Sequence, residues 1–282
     1  MVSRMMPRDA LTGVRLAFSA SPGDDLERLG LTQAHFRPAL GELARAVLIG
    51  GGTLAYGGRL QADELTTFLM EEVRRYGKPD QVNLRVYQAW SAHRRLPLKE
   101  LEAARKRLGI YGEIVCLDPD GARVEMDAGR KSRTKAYDVP PAEVARSLTA
   151  MRRVVTAETQ GRLVLGGKRL GHRGRWPGVL EEAVFALEAG QPLYLAAGFG
   201  GVTADIAAVL GLPMDWLTPA PAEQPADPGL DQGMVALRQA AGRGLPDTGL
   251  SASERARLAA THRPSEVASL VSLGLGRRFG SP

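Results

Sequence analysis

The chain has 282 residues, of which 44% are hydrophobic and 5% aromatic, with a formal net charge of +6 and one cysteine, Cys116. These totals allow one large α/β domain, or one domain plus an appendage, with a real core. They exclude a disulfide framework or a cysteine-rich zinc site, and leave too few aromatics for bases to stack along a whole surface. The pI of about 9.7 points either to anionic partners or simply to an arginine-rich surface. No apolar run is long enough to span a bilayer, and the opening "MVSRMMPRDALTG" has no apolar signal core. A cytoplasmic protein with no membrane contact is expected.

Val14–Ser19 reads as the first strand, and "SASPGDDLERLG" as a loop of turn-forming residues. In a doubly wound fold, Ser19 and Ser21 would there meet a phosphate or ribose; an ordinary surface turn is the alternative. Leu40, Leu43, Ala44, Val47 and Leu48 make a helical stripe, with Pro38 marking a break or late start before it. Leu54–Tyr56 is a short strand between glycines. Gly57 and Gly58 let backbone approach a ligand closely, and Arg59 follows, although the spacing is not G-x-G-x-x-G.

Asp63–Tyr76 reads as a helix buried through Leu65, Phe68, Leu69 and Val73, and Val82–Trp90 as a strand. A polar loop and a charged helix come next, placing His93 on the surface. Gly112–Asp118 and Ala122–Met126 flank "PDG", which predicts a β-hairpin added antiparallel at the sheet edge. Arg130, Lys131, Arg133 and Lys135 read as a solvated loop in preference to an anion site. Pro140–Gln160 is a long helix with an apolar stripe of Val144, Leu148, Met151 and Val155. Arg152 and Arg153 flank that stripe, either leaning toward a phosphate or covering apolar surface with their stems.

The most informative stretch is Leu163–Gly201, "LVLGGKRLGHRGRWPGVLEEAVFALEAGQPLYLAAGFGG". Leu163–Leu165 and Leu193–Ala197 are apolar runs without alternation, as in strands covered on both faces. Pro177 suits a first helical position, Leu180, Val184 and Leu187 recur at helical spacing, and Gly190 and Pro192 end the helix. This is a βαβ unit whose ligands would sit beyond the carboxyl ends of the strands. Gly166, Gly167 and Lys168 lie at one end; Gly198, Phe199, Gly200 and Gly201 lie at the other. Thr203 is a candidate N-cap for a helix over Thr203–Leu210, whose start, with its glycines, would suit an anion.

Glu181 and Glu182 follow Pro177 and Gly178 in the first turn of the intervening helix. Carboxylates there complement the helix dipole; alternatively, one accepts the two hydroxyls of a ribose while Lys168, Arg173, Arg175 or Arg152 holds phosphate. Residues 218–232 read as a proline-rich linker. It separates a nucleotide-binding unit, 1–217, from short helices over Gly233–Ala241, Ser253–Thr261 and Pro264–Leu273, the first of them opening the 233–282 appendage. Ser251 and Glu254 fit a capping box. That appendage would pack on the domain or on a neighbouring subunit. No metal or cofactor is implied.

At "GGK…GHRGRWPGVLEEA" the chain resembles the SLOG superfamily. This Rossmann-like group includes the "lonely guy" phosphoribohydrolases, the DNA-processing protein DprA, and ligand-sensing domains of TRPM channels and bacterial antiviral systems. Pro177, Gly178 and Glu182 (or Glu181) echo the hydrolases' P-G-G-x-G-T-x-x-E. Met151, Arg152 and Arg153 echo their M-x-x-R-K, and Ala55–Gly58 matches an earlier glycine turn. The G-x-G-T part is shortened to Pro-Gly-Val-Leu. The overall pattern is similar to the prokaryotic conflict-system branch, over roughly Val14 to Gly211. The resemblance implies a Rossmann-like doubly wound, mainly parallel sheet, and a sensor of a nucleotide-derived ligand in antiviral defence or stress. It implies a homo-oligomer and an effector protein as partner. N-glycosidic hydrolysis by Glu182 with Arg175 or Arg152 is the first alternative. DprA-like single-strand binding is the second, disfavoured by the sparse aromatics and the acidic site.

Overall fold

The computed structural model describes residues 8–60, 64–217 and 226–280. The start of the second helix at Asp63, and residues 218–225 of the proline-rich stretch, lie outside them. Four strands come first, β1 (Arg15–Ser21), β2 (Thr53–Tyr56), β3 (Leu84–Gln88) and β4 (Gly112–Cys116). They alternate with α1 (Gln33–Ile49), α2 (Glu64–Tyr76), α3 (Trp90–Arg94) and α4 (Leu98–Leu108). A long excursion then leads to α5 (Pro141–Ala157), β5 (Gly161–Gly166), α6 (Gly178–Glu188), β6 (Leu193–Ala196) and α7 (Gly201–Val209). Three helices finish the chain, α8 (Pro228–Ala241), α9 (Ala252–Ala260) and α10 (Pro264–Phe279).

The strands form one all-parallel sheet in the order β4-β3-β2-β1-β5-β6. Alternation assigns its faces. Leu16, Phe18, Leu54, Val86, Leu163 and Leu165 pack on one side with α1, α2, α4 and α10. Ala17, Ala55 and Tyr87 pack on the other with Met151 and Val155 of α5. Val164, Leu193 and Leu195 meet α6, α7 and α8. The strand order reverses between β1 and β5. A crevice opens at such a switch point beyond the carboxyl ends.

Three expectations need correction. The sheet edge is a parallel strand, β4, and not an antiparallel hairpin. The turn at Asp118–Gly121 does form, but the returning chain makes only the isolated Leu117–Arg123 bridge. It is then drawn into the excursion over residues 117–140, where Arg94 donates to the carbonyls of Ala128 and Gly129 and Arg130 donates to those of Met126, Leu96 and His93. Second, His93 is fully buried, because those contacts close the excursion over it. Third, α1 starts upstream of Pro38 and passes through it. A capping box between Thr32 and His35 secures the first turn, so only one ladder bond is forgone. The predicted box of Ser251 and Glu254 opens α9. The C-terminal helices are not peripheral to the packing: Leu258, Val267, Val271 and Leu275 are buried in the main core.

Candidate functional site

Four loops emerge at the carboxyl ends beside the switch point. Ser21 ends β1, Gly57–Arg59 follow β2, Gly166–Lys168 end β5, and Gly198–Gly201 follow β6. The first turn of α6 reaches the same edge, opposite Arg152 of α5.

Beneath that edge lies a buried ionic network. Arg162, on β5, is 1% exposed. It donates to Ser19 Oγ at 2.7 Å, Thr156 Oγ1 at 2.9 Å and Glu182 Oε2 at 3.1 Å. Arg152 bonds Glu181 and lies 3.6 Å from Glu182 Oε1. Thr149 donates to the other Glu181 oxygen at 2.6 Å. Burial pushes the Arg162 guanidinium below the usual arginine value, Glu182 opposing this and Arg152 adding to it. The glycines of the preceding loop have a use here: a Cβ at Gly174 or Gly178 would lie 2.7 Å from an Arg152 nitrogen. A Cβ at Gly57 would lie 2.8 Å from the terminal carbon of Met151, a flexible side chain that can give way.

The structure thus brings together Ser19, Arg152, Gly178, Glu181 and Glu182. Glu181 is buried and wholly occupied by protein groups. Glu182 keeps 14% of its side chain exposed. Pro177, buried, is the residue before α6 and not its first. Lys168 and Arg59 are exposed, and no ion pair is formed by either among the described residues. Arg175 does not meet Glu182. Its guanidinium sits 4.4 Å from the Trp176 ring and lines a shallow groove with Asp120, Arg146 and Arg153. The arginines beside Glu182 are Arg152 and Arg162.

The second glycine loop is not an open anion cradle. Gly198–Gly201 are buried, and Phe199 packs edge-on against Phe36. Helix α7 starts at Gly201, and Thr203, expected as its cap, instead donates to the Gly166 carbonyl at 2.8 Å. The anion at this helix start belongs to the chain itself. Asp25 accepts from Gly201 N–H at 2.7 Å and from Arg169 at 2.9 Å. Burial alone would raise the Asp25 carboxyl, but the bonds from Arg169 and Gly201 hold it below the usual range. Arg169 also binds Asp205. This clamp was not predicted; "GDD" and "KR" carried no spacing that would pair them. His172, likewise unassigned, fastens the loop before α6 by contacts with Gly174 O and with Asp227, the cap of α8.

The clamp allows the loops to touch through backbone. Gly167 N–H donates to Ser21 O at 2.8 Å, and Val202 N–H donates to Gly167 O at 3.0 Å. Gly201 has φ +66°, and a Cβ there would collide with Gly167 O. Gly201→Ala should therefore cost about 2 kcal/mol or more in urea denaturation. A loss under about 0.5 kcal/mol, the scale of a neutral surface change, would mean that the loops do not pack this closely.

No group of His, Cys, Asp and Glu among the described residues is placed to hold a metal, and none of their helices is long and apolar enough to cross a membrane. A family model described as SLOG cluster2 matches residues 10–261. The match extends beyond the Val14–Gly211 stretch recognisable by motif and takes in α8 and α9. No curated protein matches the chain.

Proposed function

The chain belongs to the SLOG family, and from that membership and the crevice at the β1–β5 switch point we propose that it binds a nucleotide-derived ligand. The family indicates a nucleotide-related Rossmann-like function. The observation that carries the finer reading is Glu182: it is the carboxylate of the buried network that still reaches solvent, on the helix that starts after the loop following β5. Held by Arg152 and Arg162, it is oriented to accept ribose hydroxyls. Lys168 and Arg59, exposed on either side of the switch point, supply phosphate contacts. The Gly198–Gly201 loop serves as a wall, since Asp25 already occupies its amide.

In this reading the protein is a cytoplasmic sensor in a bacterial defence or stress pathway, working through an effector protein and as a homo-oligomer. Titration calorimetry against a panel of nucleoside mono- and diphosphates and dinucleotides tests it. At least one should bind saturably, and Lys168→Ala and Glu182→Gln should each weaken it about tenfold or more, the loss of one charge-assisted contact. Folded protein that binds none of the panel would refute the proposal. Release of free base, abolished in Glu182→Gln, would instead identify N-glycosidic hydrolysis.

A further inference from the structure

A second cavity of about 450 Å³ lies away from the crevice, between β6, the last strand of the sheet, and α9, which packs beside it. Its volume falls in the range of small-molecule sites, roughly 300–1,000 Å³. Three kinds of surface line it beside the loop Leu245–Leu250, which brings in one carboxylate, Asp247.

One wall is apolar: Leu187 from the end of α6, Leu193 and Leu195 from β6, and Leu210 after α7. Opposite, α9 presents Ala252 and Ala256, one turn apart, with Leu258 and Arg255 beside them; the two alanines leave space open. At the rim, Leu245 is 52% exposed.

The second surface is the strand edge. β6 ends the sheet, and Arg162 N–H donates to Pro192 O in register with the Arg162–Leu193 pair. Parallel pairing then turns the peptide groups of Tyr194 toward β5 and those of Leu193 and Leu195 outward. Those outward groups form no hydrogen bond among the described residues. They present a donor and an acceptor side by side, the pattern that an amide completes when it adds to a sheet edge.

The third is a cation. Arg255 of α9 lines the cavity, donates one nitrogen to Leu250 O at 2.8 Å, and makes no ion pair among the described residues. Its remaining nitrogens can take a carboxylate.

We infer that this cavity is a binding site for a small N-acylated amino acid or its like. The acyl chain fills the leucine-lined space, the amide pairs with the edge of β6, and the carboxylate meets Arg255. The site is independent of the nucleotide reading, and none of its residues belongs to the crevice.

The probes are N-decanoylglycine, decanoate and 1-decanol, measured by titration calorimetry on the full chain. N-Decanoylglycine should bind with one-to-one stoichiometry, and more tightly than decanoate, which lacks the amide. Arg255→Gln should weaken both acids about tenfold and leave 1-decanol unchanged. Ala256→Trp, which fills the space from α9, should abolish binding of all three while retaining the wild-type circular dichroism spectrum. Ala252→Leu, a milder filling, serves if the tryptophan variant does not fold. Absence of saturable N-decanoylglycine binding would overturn the inference. So would undiminished binding to a folded, filled variant, or equal affinity for N-decanoylglycine and decanoate.

Discussion

Arg162→Ala should lower the unfolding free energy by about 3–5 kcal/mol, the range for breaking a buried ion pair by removing one partner. The guanidinium is fully desolvated and serves Ser19, Thr156 and Glu182 at once. Without it, Ser19 and Thr156 lose their donor. Glu182 keeps only the 3.6 Å contact with Arg152, and that guanidinium is already committed to Glu181. Replacing both charges, as Arg162→Met with Glu182→Leu, should recover much of the loss, because a well-packed apolar pair carries no desolvation penalty. Urea denaturation measures both variants, with an unchanged m-value as the check that the loss is one of stability. If Arg162→Ala costs under about 1 kcal/mol, in the range of exposed ion pairs, the network is hydrated and Arg162 is not the post around which Glu182 is set. The double variant separates the two uses of the network. It should be folded and yet unable to bind nucleotide.

Acidification between pH 6.5 and 4 should remove about 3 kcal/mol through His93 alone. Burial lowers the His93 pKa from 6.5 to about 4; the bond to Leu117 O opposes this, and Arg130 and Arg94 reinforce it. Nε2 lies 2.9 Å from that carbonyl and Nδ1 has no partner, so the folded state holds a neutral ring that donates from Nε2. The sign follows from the direction. Below pH 6.5 the unfolded chain takes up a proton that the folded chain refuses until about pH 4. The contribution is therefore complete above pH 6.5 and is lost as pH falls to 4. His93→Gln retains a donor and cannot titrate, so its stability should fall less steeply over that window. Equal slopes for the two proteins in urea denaturation at stepped pH would show that His93 is hydrated. The same enclosure pushes the Cys116 thiol up to about 12, so slow reaction with thiol reagents in the native state would accompany the His93 result.

These residues also show where pattern reading stops. Leu163–Leu165 and Leu193–Ala197 were legible as covered strands because unbroken apolar runs have few other uses, the second strand ending one residue earlier, at Ala196, and α6 was legible from Pro177 and Gly190. The lateral order of strands was not. Nothing in "GEIVCLDPDG" distinguishes a parallel edge strand with a turn after it from a hairpin, since the local residue preferences are the same. His93 read as polar because its neighbours Arg94 and Arg95 did, yet Arg94 itself is buried, capping carbonyls of a loop more than thirty residues away. Asp25 and Arg169 are far apart in the chain, and no periodicity links them.

What the amino-acid order determined by itself was local: the 3.6 and 2.0 periods, the turns, the helix ends, and the set of glycines, charges and carboxylates delivered to one end of a parallel sheet. Only the tertiary structure decided which of those groups are spent on one another. Asp25 fills the helix start that sequence offered to a ligand, Glu181 is consumed by Arg152 and Thr149, and Glu182 is left at the surface of the network. The reason is that ion pairing and desolvation depend on separations of a few ångströms across elements. Those separations are set by packing long after each element's own pattern has been satisfied.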